Sequence, residues 1–176
     1  MDKEYIKITF PDGRKQDFKH GTTGYDIAKS ISSSLLKKAI AIEINGSEQD
    51  LCENISSDAN ISILTLNDNK GLSIMRHTLT AQVLAKALKN LYPNVKLAIG
   101  PVIENGFYYD FDLDKPITIQ DLPMIEKEMK KIISSGNEIE KKYLSKEKVA
   151  DLFRNKNETY KVCLLYTSDA ADESSS

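Results

Sequence analysis

The chain has 176 residues, of which 40% are hydrophobic and 28% charged, a balance typical of one large or two small globular domains rather than of a disordered chain. Its formal net charge of -2 excludes a global basic field that would draw it onto nucleic acid, so any RNA contact must come from local patches. Two distant cysteines, a charged start and short apolar runs exclude a disulfide framework, a secretory signal and a membrane span, and predict a cytoplasmic protein.

The first third of the chain predicts a small α+β domain. Residues 5–10 alternate polar and apolar side chains and run into a Pro-Asp-Gly turn, which predicts a β-hairpin. Thr22 or Thr23 can cap the helix that follows. Apolar strands over 39–44 and 60–66 complete the pattern, the former leading into an Asn-Gly turn. Strands grouped around one helix in this order predict a ubiquitin-like β-grasp domain.

The middle of the chain predicts a linker, a helix and a hairpin. Residues 67–75 are predicted to be a linker because they begin polar and contain Gly71, which is interpreted as a helix breaker. A helix with one apolar face then runs to Leu91. Extended segments over 96–103 and 106–112 flank an Asn-Gly turn, which predicts a second hairpin.

The last third predicts a mixture of helices and strands and then a tail. A helix over 122–133, a strand over 138–144, a short helix capped by Ser145 and a strand beginning at 159–162 follow from the periodicity. Residues 163–176 are small, acidic and serine-rich, without a core-forming pattern. Because the run CLLYTSDAADE resembles translated sequencing-adapter read-through, we predict that this tail is non-native or disordered.

Four side chains are candidates for chemistry. His77 precedes a helix, where a neutral imidazole can serve as a base, although a lone histidine is more often structural or solvated. Gln82 cannot be a base, but its amide can orient water or a ligand hydroxyl. In the strand 107–111, Tyr109 shares a face with the two phenylalanines, which is also typical of an ordinary half-buried strand. Lys161 is normally a solvated lysine, and the sequence predicts no metal site.

Several motifs in order resemble one enzyme family. The motifs ITFPDGRKQDF, TTGYDIAKSIS, INGSEQDL and ISILT resemble the TGS domain at the front of bacterial threonyl-tRNA synthetases. The motifs GLSIMRHTLTAQVLAKALKNLYP, KLAIGPVIENGFYYDFDLD and ETYKV resemble the start of the editing domain of the same enzymes. The resemblance implies a β-grasp TGS domain followed by an incomplete α+β editing domain. The implied boundaries are 1–66 for the TGS domain, 67–75 for the linker, 76–162 for the N-terminal part of the editing domain and 163–176 for the tail.

The resemblance also implies a function for a longer parent protein. Members of the family attach threonine to threonine-specific tRNA in a class II core that holds ATP, magnesium and zinc, and they hydrolyse serine wrongly attached to that tRNA. It implies a cytoplasmic homodimer that binds tRNA. Because this sequence holds no class II motif and only an incomplete editing pocket, the fragment itself is predicted to need no cofactor and to be inactive in both reactions.

The family's site residues carry over to four positions. His77 matches the first histidine of the editing pair, Tyr109 a tyrosine of the editing pocket, and Lys161 a lysine that contacts the substrate end of the tRNA. The family usually has a second histidine four positions after the first, whereas here Gln82 takes its place with one residue added between. Two alternatives stay open: a stand-alone TGS-containing RNA-binding or regulatory protein, and a trans-acting aminoacyl-tRNA deacylase.

Overall fold

A computed structural model describes residues 4–137 and 139–173, with side chains described as far as Thr167. The chain divides into two compact units, Met1–Arg76 (unit 1) and His77–Ser176 (unit 2). Within the described ranges, no helix is both long enough and apolar enough to cross a bilayer.

The strands of unit 1 are β1 Tyr5–Thr9, β2 Lys15–Lys19, β3 Thr22–Thr23, β4 Ala39–Ile44, β5 Ser47–Gln49, β6 Asn54–Ile55 and β7 Ala59–Thr65. Five of them form a mixed sheet in the order β2-β1-β7-β4-β5. β1 pairs with β7 in parallel, and the other neighbouring strands of the sheet are antiparallel. A separate short pair joins β3 to β6. The arrangement confirms the predicted ubiquitin-like β-grasp fold.

The core of unit 1 follows from the alternation seen in its first strand. Ile6 and Ile8 are buried while their neighbours Tyr5 and Lys7 point outward. The buried side chains pack with Ile27 and others from the helix and the facing strands. One face of the sheet therefore carries the core.

Two turns in unit 1 confirm their predicted chemistry. The backbone at Asn45 has φ 51° and that at Gly46 has φ 87°, and both values suit the two-residue hairpin turn that Asn-Gly favours. After Phe10, the amide N–H of Gly13 donates to the Phe10 carbonyl over 2.9 Å, closing the Pro-Asp-Gly turn.

The helix of unit 1 begins with a reciprocal cap. Helix α1 spans Gly24–Ile31, and Thr23 is its N-cap. Hydrogen bonds from the Thr23 side chain, and then from its backbone, lower the pKa of the Asp26 carboxyl below its ordinary value. The single helix that periodicity predicts is divided, because Ser32 has an extended backbone and caps a second helix, α2 Ser33–Lys38.

The interpretation of Gly71 as a helix breaker is wrong. Helix α3 spans Asn69–Thr78 and contains Gly71, which is buried. The chain is turned into this helix by Asp68, whose carboxylate accepts hydrogen bonds from the Thr65 backbone N–H (2.7 Å) and hydroxyl (2.8 Å). A Cβ on Gly71 would collide with the Thr65 carbonyl, so close approach rather than backbone freedom calls for glycine here.

Unit 2 consists of helices around short antiparallel strand pairs. Its elements after α3 are a π-helical turn Leu79–Leu84, α4 Ala85–Leu91, β8 Lys96–Leu97, β9 Val102–Ile103, β10 Gly106–Phe107, β11 Phe111–Asp112, a 3₁₀ turn Ile119–Asp121, α5 Leu122–Ser134, α6 Lys146–Asn155 and α7 Thr159–Glu173. β8 pairs with β11 and β9 pairs with β10.

The core of unit 2 joins a helix, a strand and a second helix. Leu88 of α4, Leu97 of β8 and Ile125 of α5 are buried together with Val95. Aromatic side chains of the hairpin, Tyr109 and Phe111, pack against this cluster. The predicted helix and hairpin are therefore confirmed, and they share one core.

Two predicted strands of unit 2 are wrong. Residues 139–144 form neither helix nor strand, and Glu138 lies outside the described residues; exposed Ile139 and Tyr143 show that this stretch has little core to pack on. Residues 159–162 are the first turn of α7 rather than a strand, because Val162 N–H donates to the Glu158 carbonyl over 3.1 Å.

Part of the predicted tail belongs to that last helix. Helix α7 runs to Glu173, and residues 174–176 lie outside the described part of the chain. The non-native or disordered origin of residues 163–176 stays a prediction, as do the predicted domain boundaries.

Candidate functional site

His77 lies on the last turn of α3, with its side chain exposed. The backbone stays helical beyond it, since Thr78 and Leu84 both have right-handed helical geometry. His77, the π-helical turn and α4 therefore belong to one continuous helical stretch.

The π-helical turn after His77 has a distinctive hydrogen bond. The Ala85 N–H donates to the Thr80 carbonyl five residues earlier, whereas an α-helix joins residues four apart. Such turns carry one extra residue inside a helix and are frequent at functional sites. Gln82, a predicted site residue, lies within the turn and is exposed.

The hairpin that carries Tyr109 has the predicted alternation. Phe107, Tyr109 and Phe111 are partly buried, and Tyr108 and Asp110 between them are exposed. Regular pairing breaks in the middle, where Tyr108 N–H donates to Pro101 O at 3.3 Å and Asp110 N–H to Ile99 O at 2.8 Å.

At this break the hairpin and the π-helical turn come together at Gly100. A Cβ on Gly100 would lie 2.6 Å from Thr80 Cγ2, and closer still to Tyr109 Cδ2. Thr80 is fully buried. Glycine is therefore required by space, and its absent side chain lets the Tyr109 ring lie beside the turn that carries Gln82.

The Tyr109 phenol is partly buried and lies near a negative charge. Burial is the first cause that raises the pKa of Tyr109, and the negative charge of Glu158 adds to it. A protonated phenol can donate a hydrogen bond to a ligand.

Gln82 also borders a shallow cavity of about 280 Å³. Val83 and Lys86 line the cavity beside it, and Ile132 and Ile133 of α5 form the opposite side. Asn137 and Glu140 also line it, so the cavity offers amides, an ammonium and a carboxylate beside an apolar wall.

Lys161 lies on α7, where its ammonium is 5.7 Å from the centre of the Phe153 ring on α6. This is a cation–π contact, made from a half-buried position. Tyr109 thus lies near the π-helical turn, whereas Lys161 contacts Phe153 of α6. The roles carried over to His77, Gln82, Tyr109 and Lys161 stay predictions.

A buried charged residue was missed by the sequence analysis. Glu158 is 6% exposed, and its carboxylate accepts from Lys89 Nζ at 2.6 Å and from Leu97 N–H at 3.3 Å. Lys89 Nζ also donates to the Val95 carbonyl at 2.5 Å. These contacts, called the buried knot below, join Lys89 of α4, Leu97 of β8 and Glu158 at the start of α7. No feature of the sequence separates Glu158 from the exposed glutamates.

The chemistry available is therefore that of an imidazole, an amide and a phenol. Among the described side chains, those of residues 4–137 and 139–167, no group of three or more His, Cys, Asp or Glu is placed to hold a metal ion. Both cysteines are exposed.

Comparison with known proteins finds one family model that matches within unit 1 and relatives that match most of the chain. The TGS domain family model matches residues 6–65. The threonine–tRNA ligase of Sinorhizobium fredii is 47% identical over 160 residues, covering 91% of this chain and 24% of the relative. Threonine–tRNA ligase 1 of Bacillus subtilis is 48% identical over 162 residues, covering 92% of this chain and 25% of the relative.

The threonine–tRNA ligase of Staphylococcus aureus is 47% identical over 162 residues, which is again 92% of this chain and 25% of the relative. The chain thus spans about a quarter of the length of the curated relatives it matches. It carries a TGS domain, and over nine-tenths of its length it is homologous to the N-terminal region of threonine–tRNA ligases.

Proposed function

We propose that this chain is the N-terminal portion of a threonine–tRNA ligase whose complete protein attaches threonine to its tRNA with ATP and removes wrongly attached serine. Unit 1 supplies the TGS domain, and unit 2 supplies the first part of an editing site. The complete protein is proposed to act in the cytoplasm as a homodimer that binds threonine-specific tRNA.

One observation carries the proposal. The alignment of 160 residues covers 91% of this chain, so it must run through both units, Met1–Arg76 and His77–Ser176. A protein that shared only a TGS interaction module would match over unit 1 alone. The two alternatives, a stand-alone RNA-binding protein and a trans-acting deacylase, gain no support from these relatives.

Physical chemistry explains why such a ligase needs editing. Serine lacks one methyl group of threonine, a difference worth about 1–3 kcal/mol in a binding pocket. That margin is too small for accurate translation. A second site that hydrolyses the smaller product restores accuracy.

The site residues supply the parts of an ester hydrolysis. The exposed His77 imidazole is proposed to accept a proton from the attacking water. The Gln82 amide orients that water or the serine hydroxyl, and the protonated Tyr109 phenol donates to the ligand. Lys161 is proposed to meet the tRNA end. The water oxygen bonds to the serine carbonyl carbon, the ester bond between that carbon and the ribose oxygen breaks, and the ribose oxygen takes the proton that His77 accepted.

The cofactors of ligation are proposed for the complete protein alone. ATP, magnesium and zinc would serve its class II core. The described residues offer no metal-ligating cluster, so they do not fit magnesium or zinc, and no step of editing is assigned to a metal. The 176-residue chain by itself is proposed to carry out neither reaction.

The experiment is serine release from mischarged threonine-specific tRNA by the protein made from the complete reading frame. We expect His77→Ala to slow release by about 10²–10⁴-fold, the contribution typical of a general base. Lys127→Ala, an exposed position on α5, is the matched control and should leave the rate unchanged. Equal rates for His77→Ala and the parent sequence would refute the editing role.

A further inference from the structure

Four exposed side chains of unit 2 follow one another along one face of the helical stretch, on both sides of the π-helical turn. His77, Gln82, Lys86 and Asn90 are exposed along the continuous helical stretch, and the steps between them are five, four and four residues. The one long step falls on the turn Leu79–Leu84.

On the buried face of the same helical stretch, the spacing between successive buried residues is also longest within the π-helical turn. Thr80, Ala85 and Leu88 are 0%, 6% and 0% exposed, and the step from Thr80 to Ala85 is again five residues. It coincides with the hydrogen bond from the Ala85 N–H to the Thr80 carbonyl. Both faces therefore accommodate one extra residue through the same turn.

Helix geometry gives the reason. An α-helix turns by about 100° per residue, so residues four apart are about 40° from alignment and residues five apart about 140°. A regular α-helix would therefore put Ala81 next to His77 and would turn Gln82 away. A hydrogen bond between residues five apart widens the turn, so that five residues occupy the place of four.

We propose that the π-helical turn at Leu79–Leu84 adds one residue to the helical stretch and thereby sets the Gln82 amide beside the His77 imidazole on one exposed face. Gln82 is thereby a positioning residue for the water or ligand hydroxyl that the imidazole meets. The identity of that ligand rests on the proposed function. The proximity of the Gln82 and His77 side chains does not depend on the proposed function.

The test uses the full 176-residue chain and nickel(II) as the probe. Two imidazoles one helical turn apart on the same face chelate a divalent metal, for which imidazole is a good ligand. Gln82→His should therefore bind nickel at least about tenfold more tightly than the unsubstituted chain in calorimetric titration, because the second ligand is held at high effective concentration.

Two controls fix the geometry. Ala81→His places the second imidazole four residues after His77, where a regular α-helix would bring it alongside, and it should bind no better than the unsubstituted chain. The double variant Lys86→His, Asn90→His sets two imidazoles four apart within α4 and shows the gain that a well-aligned pair gives.

The nickel affinities of these variants either support or overturn the proposal. Gln82→His matching the double variant within a few-fold supports the proposal. Tighter binding by Ala81→His than by Gln82→His overturns it, as does a Gln82→His variant that binds like the unsubstituted chain while the double variant gains. If Ala81→His fails to fold, the comparison of Gln82→His with the double variant decides. No tRNA or hydrolysis enters this measurement, so its failure is distinguishable from failure of the editing proposal.

Discussion

Replacing Glu158 with alanine is expected to lower the free energy of unfolding of unit 2 by about 1–3 kcal/mol, because the Leu97 N–H loses its acceptor and the Lys89 ammonium, 31% exposed, loses its anion. Lys89 would keep only the Val95 carbonyl, and the Leu97 N–H would lose its carboxylate acceptor. Chemical denaturation of the full chain, followed by near-ultraviolet circular dichroism, measures the change.

Asp151 provides the matched control for that substitution. Its carboxylate pairs with Arg154 at 2.9 Å, with both side chains more than half exposed, so Asp151→Ala should change stability little. Replacing both Glu158 and Lys89 with apolar residues of similar size should recover part of the loss, because the ammonium no longer lacks its anion, while the Leu97 N–H still lacks its carboxylate acceptor. A loss from Glu158→Ala no larger than that from Asp151→Ala would contradict the buried-knot interpretation.

Gly71→Ala is expected to destabilise unit 1 by about 1–3 kcal/mol, the cost typical of overpacking, although the same change in an ordinary helix interior stabilises by about 1 kcal/mol. The added Cβ would collide with the Thr65 carbonyl, a backbone group at the end of β7. Backbone cannot swing aside as a long side chain can, so strand or helix must shift, and such overpacking is costly.

The control for Gly71 is an exposed residue of the same helix. Ser73→Ala in α3 should leave stability unchanged or raise it slightly, because alanine favours helix and nothing crowds that position. Thermal unfolding of both variants distinguishes the two mechanisms. Stabilisation by Gly71→Ala would show that helix propensity, rather than close approach, governs the position.

The fold of unit 1 was largely predictable because its signals are local. The alternation around Ile6 and Ile8 sets which face of β1 is buried, and the Asn45-Gly46 pair suits a two-residue hairpin turn. The start of α3 was missed because its cap is tertiary: Asp68 binds Thr65 at the end of a strand. A polar stretch with a glycine looks like a linker until that strand is in place.

Unit 2 was predictable in its hairpin and less so in its site. Alternation correctly predicted that Tyr109 lies on the partly buried face of the hairpin. The π-helical turn could not be predicted, because a pattern of apolar residues every three or four positions does not register one extra residue. Nothing local marks Glu158 as buried, since its burial depends on Lys89 and Leu97, which are distant in sequence.

The placement of the site therefore rests on contacts at Gly100. Thr80 of the π-helical turn and Tyr109 of the hairpin both lie against this glycine. In the sequence Gly100 is followed by a proline, a pair that by itself is typical of a turn. Its actual requirement is space for a neighbouring ring, which a single sequence does not reveal.

Threonine-dependent exchange of pyrophosphate into ATP tests the central claim most directly. The protein made from the complete reading frame should catalyse exchange with threonine. The 176-residue chain, which spans about a quarter of the length of its relatives, should show background exchange only. Exchange by the 176-residue chain alone, or a complete protein that shows none with threonine, would contradict the assignment to a threonine–tRNA ligase.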